Sequence, residues 1–147
     1  MSDVQLTTKS NQLSITQTFS ATASRLFACF TQPELLNQWH APSELMTIES
    51  EVNLTVGGNY RISMTDPEGK THTAVGVFKD IDEPSKLVYS WSWEDSEDPD
   101  TMVTVEFKQV GQQTEVTLTH INFPNNEAAS HHSQGWSGIY ARLTAFC

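Results

Sequence analysis

The residues of this sequence best suited to chemistry lie towards its C-terminal end, where residues 131–136 read HHSQGW. His132 and Trp136 are four residues apart and therefore share one face of a helix. His120 lies on the apolar face of an alternating segment that precedes this helix. An imidazole can move a proton, bind a metal or orient a ligand, but a buried histidine is often simply hydrogen bonded within a core. The pattern leaves both interpretations open for each histidine.

Acid–base catalysis would require a second titratable group close to these histidines. Glu106 shares a strand face with Met102 and Thr104, and it is a candidate to lie opposite a pocket histidine. The sequence contains no Gly-x-Ser-x-Gly, no phosphate-binding glycine loop and no His-Glu-x-x-His. Cys29 lies among apolar residues, which favours a small buried side chain over a nucleophile. We therefore predict no catalytic residue, with a cyclase-like or hydrolytic enzyme as an alternative.

Metal ligation is not predicted. The five histidines are scattered, and Cys29 and Cys147 have the spacing of neither a metal knuckle nor a disulfide framework. The acidic run from Glu94 to Asp100 lacks the glycine and the terminal glutamate of a calcium loop. We expect no metal and no cofactor, and reduced thiols in a cytoplasmic protein.

Charge limits the partners of this protein. The 18 Asp and Glu residues outnumber 8 Lys and Arg residues, for a net charge of −10. Nucleic-acid binders carry basic patches that replace phosphate counterions, and anionic membrane surfaces attract basic segments. We expect neither a nucleic-acid partner nor membrane insertion, and the sequence leaves a monomer and a homodimer equally open.

The elements that position these residues follow from periodicity. A stripe at helical spacing joins His132, Trp136, Ile139, Leu143 and Phe146, and this pattern predicts a long amphipathic helix beginning near Asn126. Two short helical patterns follow the first strand, and the second opens with a capping box, Thr31-Gln-Pro-Glu34. Period-two alternation predicts strands at Leu13–Phe19, Asn59–Met64, Thr73–Lys79, Lys86–Trp93, Met102–Val110 and Thr114–Ile121.

This order predicts an α+β helix-grip fold, in which a curved antiparallel β-sheet wraps around the C-terminal helix and two short helices follow the first strand. We assign residues 1–147 to a single domain, with residues 1–12 as an N-terminal extension. A pocket is expected between helix and sheet. Gly135 inside the helix allows either close approach of a neighbouring strand or room beside this pocket, and our hypothesis is that it gives a ligand clearance. The candidate ligand-binding residues are Trp39, Tyr60, Met64, Tyr89, Trp91, Trp93, Glu106, His120, His132, Trp136 and Tyr140.

Four short motifs resemble a known family over almost the whole chain, from about Leu13 to Phe146. They are QWHAP at 38–42, VGGNYR at 56–61, PSKLVYSW at 84–91 and HSQGW at 132–136. In this order they resemble the SRPBCC/START-like superfamily, and within it the family of activator of heat-shock protein 90 ATPase homologues. Many members carry a second tryptophan where this chain has His40, at what the resemblance implies is the mouth of a pocket.

The resemblance implies a START-like fold that hosts lipid carriers, hormone receptors, ring cyclases and a co-chaperone domain. We predict non-catalytic binding of a hydrophobic or lipid-like small molecule in the pocket. The main alternative is stimulation of a heat-shock protein 90 ATPase, with a chaperone as partner and a link to the stress response. The co-chaperone of this family carries a separate N-terminal domain, for which we expect no room in a chain of this length.

Overall fold

A computed structural model of the chain describes residues 5–9, 12–41, 43, 45–97, 100–124 and 126–147. These residues form eight strands and three helices. The strands are β1 (Gln5–Lys9), β2 (Gln12–Phe19), β3 (Thr47–Val52), β4 (Asn59–Thr65), β5 (Thr71–Asp82), β6 (Lys86–Trp93), β7 (Thr101–Val110) and β8 (Gln113–Ile121). The helices are α1 (Ala23–Thr31), α2 (Pro33–Trp39) and α3 (Asn126–Phe146).

All eight strands form one antiparallel sheet in the order β1-β2-β8-β7-β6-β5-β4-β3. Strands β3 to β7 each pair with the next along the chain, and β1 pairs with β2, whereas β2 also pairs with β8, with Leu13 opposite His120. The sheet curves around α3 and the short helices lie between β2 and β3. The predicted helix-grip fold is confirmed.

Helix α3 packs on the concave face of the sheet through the predicted stripe. Trp136, Ile139 and Leu143 are at most 5 % exposed, and His132 and Phe146, towards the two ends of the stripe, are partly buried. Burying such side chains provides most of the stability of an amphipathic helix, because its intrinsic propensity is weak. The stripe therefore fixes which face of α3 meets the sheet.

The two short helices form as predicted, but the cap of the second one differs. Thr22 caps α1, its Oγ1 accepting a hydrogen bond from the Arg25 backbone N–H at 3.2 Å. The predicted capping box that starts at Thr31 does not form. Thr31 Oγ1 instead donates to the Phe27 carbonyl inside α1 at 2.9 Å, and α2 begins after Gln32 without a side-chain cap. The two helices follow each other too closely for Thr31 to cap the second.

Two strands are additional to those predicted. Part of the predicted N-terminal extension, Gln5–Lys9, forms the edge strand β1, and Thr47–Val52 forms β3 at the opposite edge. An edge strand has only one neighbouring strand, and in β3 the exposed Thr47, Glu49 and Glu51 alternate with less exposed residues. None of the described helices is long and apolar enough to cross a membrane.

Candidate functional site

A cavity of about 230 Å³ lies between α3 and the sheet. Helix α3 forms one wall, and the side chains of β4, β5 and β6 and the residue before β3 form the other. The lining residues are Met46, Met64, His72, Trp91, Trp93, His132, Gly135, Trp136 and Ile139. Aromatic rings and soft apolar side chains dominate this lining, as is usual in sites for small organic molecules.

Gly135 leaves space along the α3 wall. A Cβ atom at this position would meet no atom within 4 Å. A glycine inside a helix costs roughly 1 kcal/mol relative to alanine. Close approach of a strand, one of the two explanations that the sequence allows, is therefore not the reason for this glycine. The open space beside it belongs to the cavity.

Three tryptophans form the aromatic part of the cavity wall. The ring centroids of Trp91 and Trp136 are 5.2 Å apart, and those of Trp91 and Trp93 are 5.8 Å apart. Trp93 also lies 6.0 Å from the His132 ring at an angle of 31°. Such tilted and edge-on pairs stabilise one another beyond their buried area. The wall is thus a set of mutually supporting rings.

His120 lies behind this wall and holds it in place. The Trp136 Nε1–H donates to His120 Nδ1 at 3.0 Å, and His120 Nε2 is 2.6 Å from Thr101 Oγ1. The Thr101 hydroxyl itself donates to the Trp91 carbonyl at 2.8 Å. Because an indole can only donate, the His120 proton must be on Nε2 and be donated to Thr101. Four residues thus form a one-directional hydrogen-bond chain from α3 to β6.

This arrangement keeps His120 neutral. Burial lowers the pKa of His120 well below its usual value, and nearby His132 lowers the pKa further. Both ring nitrogens of His120 are engaged, and its side chain is fully buried. Of the two interpretations that the sequence left open, His120 is therefore the hydrogen-bonded core histidine.

His132 and Trp91 supply polar atoms at the cavity. His132 lines it and directs Nδ1 to the Ala128 carbonyl at 3.0 Å. Trp91 is 3 % exposed, and its Nε1–H has no hydrogen-bond partner among the described residues. A buried donor without a partner costs about 1–3 kcal/mol. This nitrogen has almost no accessible surface, so an acceptor on a bound molecule would reach it only after a small shift of the ring.

The rim of the cavity carries His72 and Met46, which are only partly buried. His72 Nε2 is 3.8 Å from Asp66 Oδ2, and its ring lies 6.4 Å from that of Trp93. Neither rim residue is among the site residues predicted from the sequence. The strand register could have identified His72, because it pairs directly with the predicted site residue Met64.

Tyr60 and Tyr89 lie outside this cavity. Their rings contact each other edge-on, with centroids 5.2 Å apart, at the part of the sheet that also holds Phe78. The Tyr60 hydroxyl donates to the Ser90 carbonyl at 2.6 Å, and its ring occupies the space beside Gly76, where a Cβ would be 2.6 Å from the ring. Both tyrosines are on the predicted concave face but at a different level of it.

Trp39 and Tyr140 are also buried in the core away from the cavity. Trp39 donates from Nε1 to the Cys29 carbonyl at 3.1 Å, and Tyr140 donates to the Val116 carbonyl at 3.4 Å. Their polar atoms thus have backbone partners, as expected for core residues.

Glu106 is exposed on the convex face of β7, so the prediction that it lies opposite a pocket histidine is wrong. The concave face of β7 is formed instead by Val103, Val105 and Phe107, which are at most 5 % exposed. An acid–base pair of Glu106 with His120 or His132 would have to act through the sheet.

His40 is not at the mouth of the cavity. It is 2 % exposed, with its ring stacked on Trp91 at 5.9 Å and edge-on to Trp136 at 5.5 Å. Burial lowers the pKa of His40 to about 4, so this ring is neutral at pH 7. The histidine thus supports the tryptophan wall from behind.

Among the described residues, no group of three or more histidine, cysteine or acidic side chains is placed to hold a metal ion. The cavity lining contains two histidines, His72 and His132, and no carboxylate. The chemistry that this site can offer is apolar and aromatic contact with a few polar contacts.

The fold and the cavity define a helix-grip domain of the SRPBCC/START-like superfamily. A family model described as activator of Hsp90 ATPase homolog 1-like protein matches residues 20–147, and the chain belongs to this family. No curated protein matches the chain.

Solved structures with the same fold come from several bacteria. A Rhodobacter sphaeroides protein is 24 % identical, with 97 % of this chain and 96 % of that chain covered and a TM-score of 0.82. A Staphylococcus epidermidis protein is 24 % identical, with 97 % and 92 % covered and a TM-score of 0.83. The AHSA1 protein of Silicibacter pomeroyi is 22 % identical, with 91 % and 95 % covered and a TM-score of 0.81. At these identities the likeness extends to the fold alone.

Proposed function

We propose that this protein binds a small, largely apolar molecule in the cavity between α3 and the sheet, without catalysing a reaction. The observation that carries this proposal is the cavity itself, of about 230 Å³ and with three tryptophans in its wall. A dry apolar cavity of about 150 Å³ is large enough to bind benzene. The space here suits a molecule of one or two fused rings better than a long acyl chain, whose tail would have to leave through the mouth.

The polar atoms of the lining indicate how such a molecule would be oriented. His132 lines the cavity and offers a polar ring to a ligand, and a small shift of the Trp91 ring would bring its buried, unpartnered Nε1–H to an acceptor on the same ligand. A few polar groups in an apolar pocket typically set ligand orientation and specificity. We therefore infer that the ligand is a planar ring system with a hydroxyl or carbonyl oxygen.

Stimulation of a heat-shock protein 90 ATPase is a second candidate, favoured by the description of the matching family model. It concerns a protein partner, so it does not require the cavity. The enzymatic alternative receives less support, since its proposed carboxylate, Glu106, lies on the opposite face of the sheet. We retain the predicted cytoplasmic location for either function.

Intrinsic fluorescence tests the ligand proposal, because three of the four tryptophans line the cavity. Titration with 2-naphthol, a planar two-ring alcohol, should change tryptophan emission and raise the Tm, since a ligand of the folded state stabilises it. Trp136→Phe should remove part of the emission change. Native mass spectrometry of protein purified from its own host would then identify a retained molecule.

Gly135→Leu supplies the decisive comparison. Its side chain would extend into the cavity, whereas Gln134→Leu places the same side chain on the exposed face of the same helix. We expect binding to be lost in the first variant and kept in the second, with both folded by circular dichroism. A folded Gly135→Leu protein that binds the ligand as tightly as wild type would show that the binding site is elsewhere.

A further inference from the structure

Cys29 and Cys147 meet in the folded protein although 118 residues separate them in sequence. Their Sγ atoms are 3.0 Å apart. Cys29 belongs to α1, and Cys147 directly follows α3. A disulfide bond is about 2.05 Å long, so a closing movement of roughly 1 Å would join the two sulfur atoms. The chain has no other cysteine.

The two thiols differ in exposure and acidity. Cys29 is fully buried, and Cys147 is partly exposed. Hydrogen bonding with Cys29 and the nearby Arg25 guanidinium together lower the pKa of Cys147 to about 7, whereas the hydrogen bond raises the pKa of Cys29. Arg25 also lies over the Phe146 ring, with its Cζ 5.3 Å from the centroid. Cys147 is therefore the thiol that ionises first and that solvent reaches.

This arrangement has the parts of an oxidisable dithiol. A thiolate is the reactive form of cysteine, and cysteines that sense oxidants are accessible, acidic and close to a second thiol that resolves the first product. Cys147 is accessible and acidic, and Cys29 is the second thiol close to it. We propose that Cys29 and Cys147 are a modification site at which peroxides form an intramolecular disulfide.

The reaction proceeds in two steps. The Cys147 thiolate attacks one oxygen of hydrogen peroxide, an S–O bond forms, the O–O bond breaks, and the departing hydroxide takes up a proton to become water. Cys29 then loses its proton and attacks the Cys147 sulfur, so that the S–S bond forms and the S–O bond breaks with release of the second water. Two thiols are oxidised by two electrons, and one peroxide is reduced.

The disulfide would fasten the end of α3 to α1. Helix α3 carries Gly135, Trp136 and Ile139, so the modification would anchor one wall of the cavity. Closing a loop of 118 residues restricts the unfolded chain. For a protein of this size we expect the Tm to rise by about 10 °C on oxidation.

The test uses the reduced full chain and one equivalent of hydrogen peroxide at pH 7.5. We expect both thiols to be lost together, the intact mass to fall by two hydrogen atoms, and a non-reducing peptide map to link Cys29 to Cys147. The intact mass should remain that of a single chain, without a covalent dimer. Dithiothreitol should reverse both the mass change and the Tm shift.

Variants separate the roles of the two thiols. Cys29→Ser should stop at a Cys147 sulfenic acid that dimedone traps, whereas Cys147→Ser should leave Cys29 reduced. Arg25→Gln should slow oxidation several-fold, and Arg61→Gln, which removes an exposed arginine of β4, should not. The wild-type mass measurement decides the question even if a variant fails to fold. Three results would each overturn the proposal. They are thiols that stay reduced after peroxide treatment, oxidation that adds oxygen without linking the two cysteines, and a disulfide between two chains.

Discussion

Replacing Gly135 by alanine should stabilise the protein, because the change favours the helix without crowding its surroundings. A new Cβ at this position meets no atom within 4 Å, so no overpacking cost arises. The helix gains the difference in propensity between alanine and glycine, roughly 0.8–1.0 kcal/mol. For a chain of this length the Tm should therefore rise by about 3 °C. The same methyl group enters the cavity, so affinity for an aromatic ligand should fall.

Urea unfolding followed by far-UV circular dichroism measures the change in the free energy of unfolding, with Gln134→Ala as the matched control. Gln134 is exposed on the same helix, and glutamine and alanine have similar propensities, so this control should leave stability almost unchanged. If Gly135→Ala lowers the urea midpoint, the space beside the glycine is occupied in solution and our explanation of this residue is refuted.

Three further predictions test the fold, the buried histidine and the alternative partner. Leu143→Ala should lower the free energy of unfolding by about 2–5 kcal/mol, since Leu143 is fully buried, and an unchanged urea midpoint would contradict its place in the core. Burial lowers the pKa of His40 to about 4, so below pH 6.5 the unfolded chain binds more protons than the folded protein. The free energy of unfolding should therefore fall as the pH is lowered from 6.5 to 4, by about 3 kcal/mol from this residue. His40→Phe should remove that part of the pH dependence in urea titrations at pH 7 and pH 4. We expect micromolar protein to stimulate the ATPase rate of the host heat-shock protein 90 only weakly, and a several-fold rise in a coupled ATPase assay would favour the co-chaperone function.

The sequence predicted the fold well because burial repeats at the period of each element. The stripe through Trp136, Ile139 and Leu143 follows the 3.6-residue period of a helix, and all three side chains are buried. In β4, buried Tyr60, Ile62 and Met64 alternate with more exposed residues and likewise mark the concave face. Such patterns predict structure well because any other register would expose the apolar face to water and lose the hydrophobic stabilisation.

Periodicity does not locate a cavity along that face. Tyr89 and Trp91 point to the same side of β6, yet only Trp91 lines the cavity, because the two positions meet different parts of the helices. Which part of the helices a strand residue meets depends on the register between strands that are distant in sequence, and that register depends on the whole sheet. The wrong prediction for Glu106 has another origin. The sequence of β7 places Val103, Val105 and Phe107 on one face, and this face is more apolar than the one that carries Glu106, so it is the face that packs in the core.

The position of β2 in the sheet has a consequence for synthesis on the ribosome. Strands β4 to β8 can each pair with the strand made just before, and β2 can pair with β1, but the other edge of β2 must wait for β8. Thr16 and Thr117, whose hydroxyls are 3.1 Å apart in the finished sheet, are separated by 101 residues. Contacts of such sequence separation form slowly, because closing the chain costs entropy before any pairing is gained. The nascent chain therefore carries β2 with β1 as its only neighbouring strand through most of translation, and the edge of β2 that will pair with β8 stays open until β8 emerges.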